Sequence, residues 1–272
     1  MTIWSVGLEG MRGYRVMLEA NVRTDKELCT IIGLPDASIK ESKERIISNL
    51  YALGHDLSMK KITLQLSPSD RRKTGTGYDA AMILAVLEQL LETPLQIDEH
   101  TCVLAALTLN GKLEPFHGMI PSIQQAIELG FQRVILPAVD LNFLGDVSNV
   151  DFVTIHDVNQ LLQYAKGQAI FNMPEVQVPT LVQDKQHANA VRGTDFAAIR
   201  GHERAKRALE IAAAGGHHIL LSGPPGCGKS MLADAFQTIF PELSNEEMLD
   251  VYSIFHLAKE HFPFSLRPQR HH

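Results

Sequence analysis

The fold of this chain is decided by one stretch near its C-terminal end, Gly223-Pro224-Pro225-Gly226-Cys227-Gly228-Lys229-Ser230. It fits the pattern G-x-x-x-x-G-K-[S/T] without a mismatch. In this spacing glycines turn backbone N–H groups toward phosphate oxygens, Lys229 reaches the β- and γ-phosphates, and the Ser230 hydroxyl ligates Mg²⁺. A helix starting there adds its positive N-terminal dipole. The sequence therefore predicts that all eight residues bind ATP, with Ser230 as a ligand of Mg²⁺.

The flanking sequence has the features that a phosphate-binding loop requires. The apolar run His218–Ser222 is typical of a buried parallel strand, and Ser230–Phe240 places its apolar residues on one helical face. The alternative is a Gly/Pro-rich surface turn followed by an unrelated helix. Cys227 has two interpretations: its thiol faces the phosphates and is reactive, or it packs away from them.

Bulk properties narrow the class of protein. The 272 residues carry a net charge of −6, so no global basic signature for nucleic acid exists. Three scattered cysteines, Cys29, Cys102 and Cys227, predict a reducing compartment rather than a disulfide framework. We find neither a signal-peptide pattern nor an 18-residue apolar run, and expect a cytoplasmic protein without a membrane span. The histidine spacing predicts no protein metal site.

The first part of the chain alternates strand and helix patterns. Tyr78–Leu91 is apolar enough for a central helix, and Asn110-Gly111 between apolar stretches predicts a hairpin. Ser38 and Glu41 have capping-box spacing for a helix. Further strands are expected at 15–22, 28–34, 62–66, 102–109, 133–136 and 152–155, and further helices at 120–129 and 158–165.

These patterns divide the sequence into three parts. Residues 1–167 form the first domain, and residues 168–193, with two prolines and a polar run, form a linker. Residues 194–272 begin a second domain, in which Glu203–Ala214 is rich in helix formers and stops at Gly215-Gly216.

Several motifs resemble one known family. In the second domain they are Asp195-Phe196, Ala205 to His217, the glycine loop and Pro241-Glu242-Leu243-Ser244. In the first they are Gly33-Leu34-Pro35-Asp36, Lys40-Glu41-Ser42-x-Glu44-Arg45, Gly75-x-Gly77-x-Asp79 and Leu109-x-Gly111-x-Leu113. Together they are similar to the magnesium-chelatase-like AAA+ ATPases, ComM/YifB group. The resemblance implies an α/β fold: a Lon-protease-like α+β domain followed by an incomplete P-loop AAA+ α/β module.

Lon proteases cleave peptides with a Ser–Lys dyad, and the resemblance places its two halves on known stretches. The serine stretch reads Thr76-Gly77-Tyr78-Asp79, and the lysine stretch reads Gly118-Met119-Ile120-Pro121. Because neither contains the dyad residue, we expect an inactive Lon-like domain used for binding or assembly rather than a peptidase.

The resemblance also implies a function and its limits. The family couples ATP to DNA branch migration in natural transformation and assembles as homo-oligomeric rings. Its Walker B, sensor and arginine-finger residues follow a segment similar to Arg267–His272, where this sequence stops. We therefore expect a truncated form that binds ATP and cannot hydrolyse it alone, with no catalytic residues assigned. The alternatives are a magnesium-chelatase-related ATPase subunit and a non-enzymatic binding or assembly module.

A second DNA-related feature is the basic run Asp70-Arg71-Arg72-Lys73, which lies beside two glycines. Such a loop can contact a nucleic-acid backbone. The alternative, a solvated basic turn, is favoured by the acidic balance of the chain.

Overall fold

The computed structural model describes residues 2–139, 150–168, 196–241 and 244–258. The chain forms two compact units. The N-terminal unit comprises Met1–Leu181 with Tyr252–His261, and the C-terminal unit comprises Val182–Val251 with Phe262–His272. The proposed linker at 168–193 lies outside the described residues apart from Gln168.

The N-terminal unit is built on one seven-stranded mixed sheet. Its strands stand in the order β3-β4-β2-β1-β5-β8-β9. They are β1 (Ile3–Glu9), β2 (Arg12–Thr24), β3 (Leu28–Ile32), β4 (Lys60–Ser67), β5 (Thr101–Val103), β8 (Arg133–Pro137) and β9 (Asp151–Ile155). The pairs β1–β2 and β2–β4 are antiparallel, whereas β3–β4, β1–β5, β5–β8 and β8–β9 are parallel. The α/β class predicted from the sequence is confirmed.

Four helices cover this sheet: α1 (Ala37–Ala52), α2 (Asp79–Leu90), α3 (Met119–Glu128) and α4 (Val158–Ala165). The predicted central helix is α2, in which every residue from Asp79 to Leu87 is buried. A helix that is apolar all round belongs in the core of a domain. The alternating side of β4, with Ile62, Leu64 and Leu66, packs into the same core.

Two local sequence patterns, one for a turn and one for a helix start, had different outcomes. Asn110-Gly111 does form the turn between β6 (Ala106–Leu107) and β7 (Leu113–Glu114), with Gly111 at a φ of +83°. The helix α1, however, begins at Ala37, one residue before Ser38. Its N-cap is Asp36, whose carboxylate accepts a hydrogen bond from the Ile39 N–H at 2.9 Å. Strand β1 had not been predicted.

The described part of the C-terminal unit is helical. After a short 3₁₀ turn at Phe196–Ala198 come α5 (Glu203–Gly215) and α6 (Lys229–Phe236), followed by a 3₁₀ turn at Gln237–Ile239. Helix α7 (Asn245–Ala258) passes from this unit into residues counted with the N-terminal unit. Gly216 ends α5 in the left-handed conformation, at a φ of +64°. A small core joins α5 and α6 through Leu209, Leu232 and Phe236.

The predicted strand His218–Ser222 is wrong for this structure. These residues have no regular secondary structure, and Leu220 is 90% exposed. A parallel strand is held by hydrogen bonds to its neighbours, and no strand lies within the described part of the C-terminal unit. The apolar run therefore has no partner there.

No described helix combines the length and apolar character that crossing a bilayer requires.

Candidate functional site

The glycine loop leads directly into α6. Gly226 and Gly228 have φ angles of +77° and +81°, a left-handed backbone that favours glycine. Gly228 is the N-cap, and no side chain caps this helix. Its first turn is therefore open to an external acceptor, which is the arrangement that anion binding at a helix start requires.

Lys229 occupies the interior of the loop. Its ammonium donates to the carbonyl oxygens of Gly223 at 2.9 Å and Pro224 at 2.8 Å. The Cys227 sulfur lies 3.6 Å from the same nitrogen. Two neutral carbonyl oxygens thus hold the ammonium inside the loop. A phosphate can replace them as hydrogen-bond acceptors. Two orientations were expected for the Cys227 side chain. In the structure its sulfur lies beside Lys229.

The remaining loop positions agree with a bound nucleotide. Residues Gly223 to Gly226 are exposed, and so is Ser230 at the first turn of α6. A Cβ built on Gly226 meets nothing within 4 Å, so the space in front of the loop is open. The described residues hold no group of three or more His, Cys, Asp or Glu side chains suited to a metal ion. In P-loop proteins Mg²⁺ is ligated by the loop hydroxyl and the phosphates, together with a Walker B carboxylate.

The motifs of the N-terminal unit meet around one buried carboxylate. Asp79 is fully buried, and its Oδ2 accepts a hydrogen bond from Arg45 Nε at 2.7 Å. Ser42 Oγ donates to Asp79 Oδ1, and Arg45 Nη2 donates to Ser42 Oγ at 2.8 Å. The Leu107 N–H completes the set at 3.3 Å. Burial raises the pKa of Asp79, although the bonds to Arg45 and Ser42 act in the opposite direction.

These residues therefore tie α1, α2 and β6 together. The hydrogen bonds among Ser42, Arg45 and Asp79 favour a structural role for all three. The two motifs are far apart in the sequence, and their spacing does not relate them. The signal that they share was available: charged and hydroxyl residues at helical spacing in α1, and an aspartate at the start of an otherwise apolar helix.

The basic run is divided: Lys73 is enclosed by the structure, whereas Arg71 and Arg72 are exposed. Lys73 is fully buried, and its ammonium donates to the carbonyl oxygens of Pro68 and Arg71. Burial lowers the pKa of this amine. Arg71 lies over the Tyr14 ring, 4.8 Å from the ring centroid. Lys73 is therefore available neither to a nucleic-acid backbone nor to solvent. Only Arg71 and Arg72 are exposed, as expected for a solvated basic turn.

The two stretches associated with a Lon dyad do come together. Thr76, Gly77, Tyr78 and Gly118 line the same cavity in the N-terminal unit. Ser122 also reaches it, but its Oγ is directed to the Gly118 carbonyl at 2.8 Å.

Comparisons with known proteins identify the family of this chain. Residues 18–140 match the model of subunit ChlI of Mg-chelatase, and residues 195–272 match that of magnesium chelatase, subunit ChlI. The uncharacterized protein YifB of Escherichia coli is 33% identical over 254 residues, covering 92% of this chain and 47% of YifB. The competence protein ComM of Haemophilus influenzae is 31% identical over 271 residues, covering 98% of this chain and 52% of ComM.

The chain belongs to the ComM/YifB family of magnesium-chelatase-like proteins. It spans about half the length of the curated relatives it matches. An archaeal Lon protease of Methanocaldococcus jannaschii is 27% identical over 107 residues, which are 39% of this chain and 16% of that protein. The Lon-like α/β fold expected from the sequence is thereby confirmed.

Proposed function

We propose that this chain binds Mg-ATP through Gly223–Ser230, as the nucleotide-binding part of a ComM/YifB-type motor ATPase. The observation that carries the proposal is the Lys229 ammonium, held inside a glycine loop that opens an uncapped helix. The bound nucleotide would supply the phosphates that replace the two carbonyls as acceptors. Lys229 would neutralise the phosphate charge, the first N–H groups of α6 would hold the oxygens, and Ser230 would ligate Mg²⁺.

Titration with a fluorescent ATP analogue tests this proposal. Lys229→Ala should weaken binding at least tenfold, about 1.4 kcal/mol, and removal of Mg²⁺ with EDTA should weaken it further. Arg207→Ala is the matched control, because Arg207 is an exposed cation of the same unit that pairs with Glu210 at 2.9 Å. Equal affinity of the Lys229→Ala variant and the unmodified chain would remove the assigned role.

For the whole protein we propose action on DNA in a ring of identical subunits. The support is similarity to a competence protein over nearly the whole chain. The second candidate, a subunit of a magnesium-chelating ATPase, is favoured by the names of both matching family models. A labelled four-way DNA junction distinguishes them. Nucleotide-dependent binding of the junction supports the first candidate, and nucleotide binding with no effect on DNA supports the second.

A further inference from the structure

The edge strand β3 exposes large apolar side chains at both of its ends. Leu28 is 50% exposed and Ile32 is 42% exposed. Cys29 and Ile31, which alternate with them along the strand, pack into the hydrophobic core. A β-strand directs alternate side chains to opposite faces of its sheet. Leu28, Thr30 and Ile32 therefore share the other face, where Leu28 and Ile32 meet solvent.

The exposed apolar residues of the N-terminal unit are concentrated around this strand. Tyr51 Oη donates to Glu27 Oε1 at 2.8 Å, and the Met59 carbonyl accepts from the Asp25 N–H at 2.9 Å, so both residues adjoin the start of β3. A contiguous apolar surface marks a site that another protein covers. In the described part of this unit, six large apolar side chains are exposed, of which all but the last belong to β3 or its flanks: Leu28, Ile32, Leu34, Tyr51, Met59 and Leu109.

The main chain of β3 is open along one side. On the other side it pairs in parallel with β4, from Leu28 opposite Lys61 to Ile32 opposite Gln65. Among the strands that the structure describes, β3 stands at the end of the sheet and has no second neighbour. The unpaired N–H and C=O groups of a sheet edge are a template for a strand of another chain.

The opposite edge of the same sheet is protected from such pairing. Strand β9 begins at the exposed Asp151, which pairs with Arg133 at 2.9 Å. Its apolar residues Phe152 and Val153 are partly buried. Charged side chains at an edge discourage pairing with another chain. The sequence from Leu28 to Pro35 carries no charge, so β3 is the edge suited to pairing.

The sequence of β3 is complementary to itself in an antiparallel arrangement. When two copies pair about Thr30, Leu28 of each copy lies opposite Ile32 of the other, and the two Thr30 side chains lie opposite each other. Directly opposite side chains on one face of a sheet pack against each other. Both exposed apolar residues of the strand are thereby removed from water in each copy, which favours association.

Charge also favours a second copy as the occupant of this edge. The charged residues Lys26 and Glu27 precede the strand and are exposed. In the pairing about Thr30, Glu27 lies opposite Gly33 of the second copy, and Lys26 lies opposite Leu34. Like charges meet in neither pair, whereas a parallel alignment would place the two Glu27 side chains next to each other at a cost in stability.

We propose that β3 is an interface between two copies of this chain, in which the two strands pair antiparallel about Thr30 and join both sheets into one. The proposal is independent of nucleotide binding by the C-terminal unit. The contact is two-fold symmetric, so both copies use the same surface. It is distinct from a contact that builds a ring, because a ring joins two different surfaces of neighbouring subunits.

Disulfide trapping without nucleotide tests the register. In a Cys227→Ser background, which removes the half-buried native thiol, Thr30→Cys should form a covalent dimer on mild oxidation. Directly opposite residues have Cα atoms about 4.5–5.5 Å apart, which a disulfide spans. Leu28→Cys alone should stay monomeric on a non-reducing gel, because its two copies lie four residues, about 13 Å, apart along the strands. A mixture of Leu28→Cys and Ile32→Cys chains should cross-link.

Sedimentation velocity measures the same contact without cross-linking. Ile32→Lys places a cation opposite Leu28 of the second copy and should weaken dimerisation at least tenfold. Leu109→Lys is the matched control and should change dimerisation less than twofold, because Leu109 is an exposed apolar residue of the hairpin between β6 and β7. In the unmodified chain, amide hydrogen exchange in peptides covering residues 26–34 should slow as the protein concentration rises.

The proposal is overturned if the chain does not self-associate, if Thr30→Cys stays monomeric, or if Leu28→Cys alone cross-links as readily as Thr30→Cys. Equal association of the two lysine variants also overturns it. Slow exchange of residues 26–34 that is independent of protein concentration would show that another segment of the same chain covers the edge, and would equally exclude the second copy.

Discussion

Leu64 and Leu220 belong to strands predicted from the sequence over equal lengths, residues 62–66 and 218–222, yet their surroundings are opposite. Leu64 lies in β4, between two hydrogen-bonded neighbours, and is fully buried. Leu220 precedes the glycine loop, belongs to no strand, and is 90% exposed. The difference shows that hydrophobicity alone does not make a strand. A run becomes a strand where other strands are available to pair with it.

The comparison extends to charge. In the N-terminal unit the partly exposed Arg45 pairs with the fully buried Asp79, which also accepts from Ser42, and the pair serves the fold. In the C-terminal unit Lys229 is held by two carbonyl oxygens and the Cys227 sulfur of its own loop. A buried pair is expensive to break, whereas a cation on neutral acceptors is available to a ligand. A cationic side chain thus indicates stability in one unit and binding in the other.

The largest effect is expected from Arg45→Ala. It leaves the Asp79 carboxylate buried without its cation, and we expect a loss of about 3–5 kcal/mol in the free energy of unfolding at pH 7. Urea denaturation of the N-terminal unit measures it. Lys43→Ala, which breaks an exposed pair with Glu44, is the control and should change stability by less than about 0.5 kcal/mol.

Acid should reduce the Arg45→Ala defect. Burial already raises the pKa of Asp79, so folding favours its protonated form. Stability from that preference is present below the ordinary carboxyl pKa and is lost as the pH rises through the folded pKa. Loss of Arg45 removes an interaction that lowers the pKa. The defect should therefore shrink between pH 7 and pH 4.5. A defect that is the same at both values would show that lost packing, rather than charge, is responsible.

A pair of leucine variants tests the comparison directly. Leu64→Ala should destabilise the N-terminal unit by about 2–5 kcal/mol, because it removes buried methyl groups and leaves a cavity. Leu220→Ala should cost less than about 0.5 kcal/mol in the C-terminal unit. Urea or thermal denaturation reports both. A cost above about 2 kcal/mol for Leu220→Ala would mean that this segment is packed in solution.

The smallest predicted effect concerns the three thiols. Burial raises the pKa of Cys29 to about 11 and also raises that of the fully buried Cys102. A raised pKa leaves less of the reactive thiolate at pH 7. Cys227 is only half-buried and should react first with maleimide. Peptide mapping of the labelled chain measures the order, and Mg-ATP should slow labelling of Cys227. Earlier labelling of either buried thiol would contradict the assignment.

Periodicity was the most useful sequence signal. Helix α2 and strand β4 follow from their apolar patterns, and the hairpin follows from Asn110-Gly111. The start of α1 was displaced because Asp36 and Ser38 are both good caps, and only the tertiary bond from Gly75 to Asp36 distinguishes them. The apolar pattern of the sequence does not predict strand β1, because the burial of its residues is nearly continuous from Ile3 to Gly7 rather than alternating.

The site was predictable to a different degree. The glycine loop is local in sequence, so its eight residues can be proposed from spacing alone. The cavity is assembled from β1, α1 and the loops before α2 and α3, which are far apart in the chain. Which residues line it therefore depends on tertiary structure. No spacing rule contains that information.

The side chain of Lys73 is fully buried, so the chemical reactivity of its amine reports on opening of the loop at residues 68–77. Acylating reagents reach only an uncharged, accessible amine, so this lysine reacts only when the segment opens. At low reagent concentration, its rate of acetylation reports the equilibrium between closed and open forms of that segment, separately from global unfolding. Because the same loop lines the cavity through Thr74 to Tyr78, a ligand bound in the cavity should slow the acetylation of Lys73.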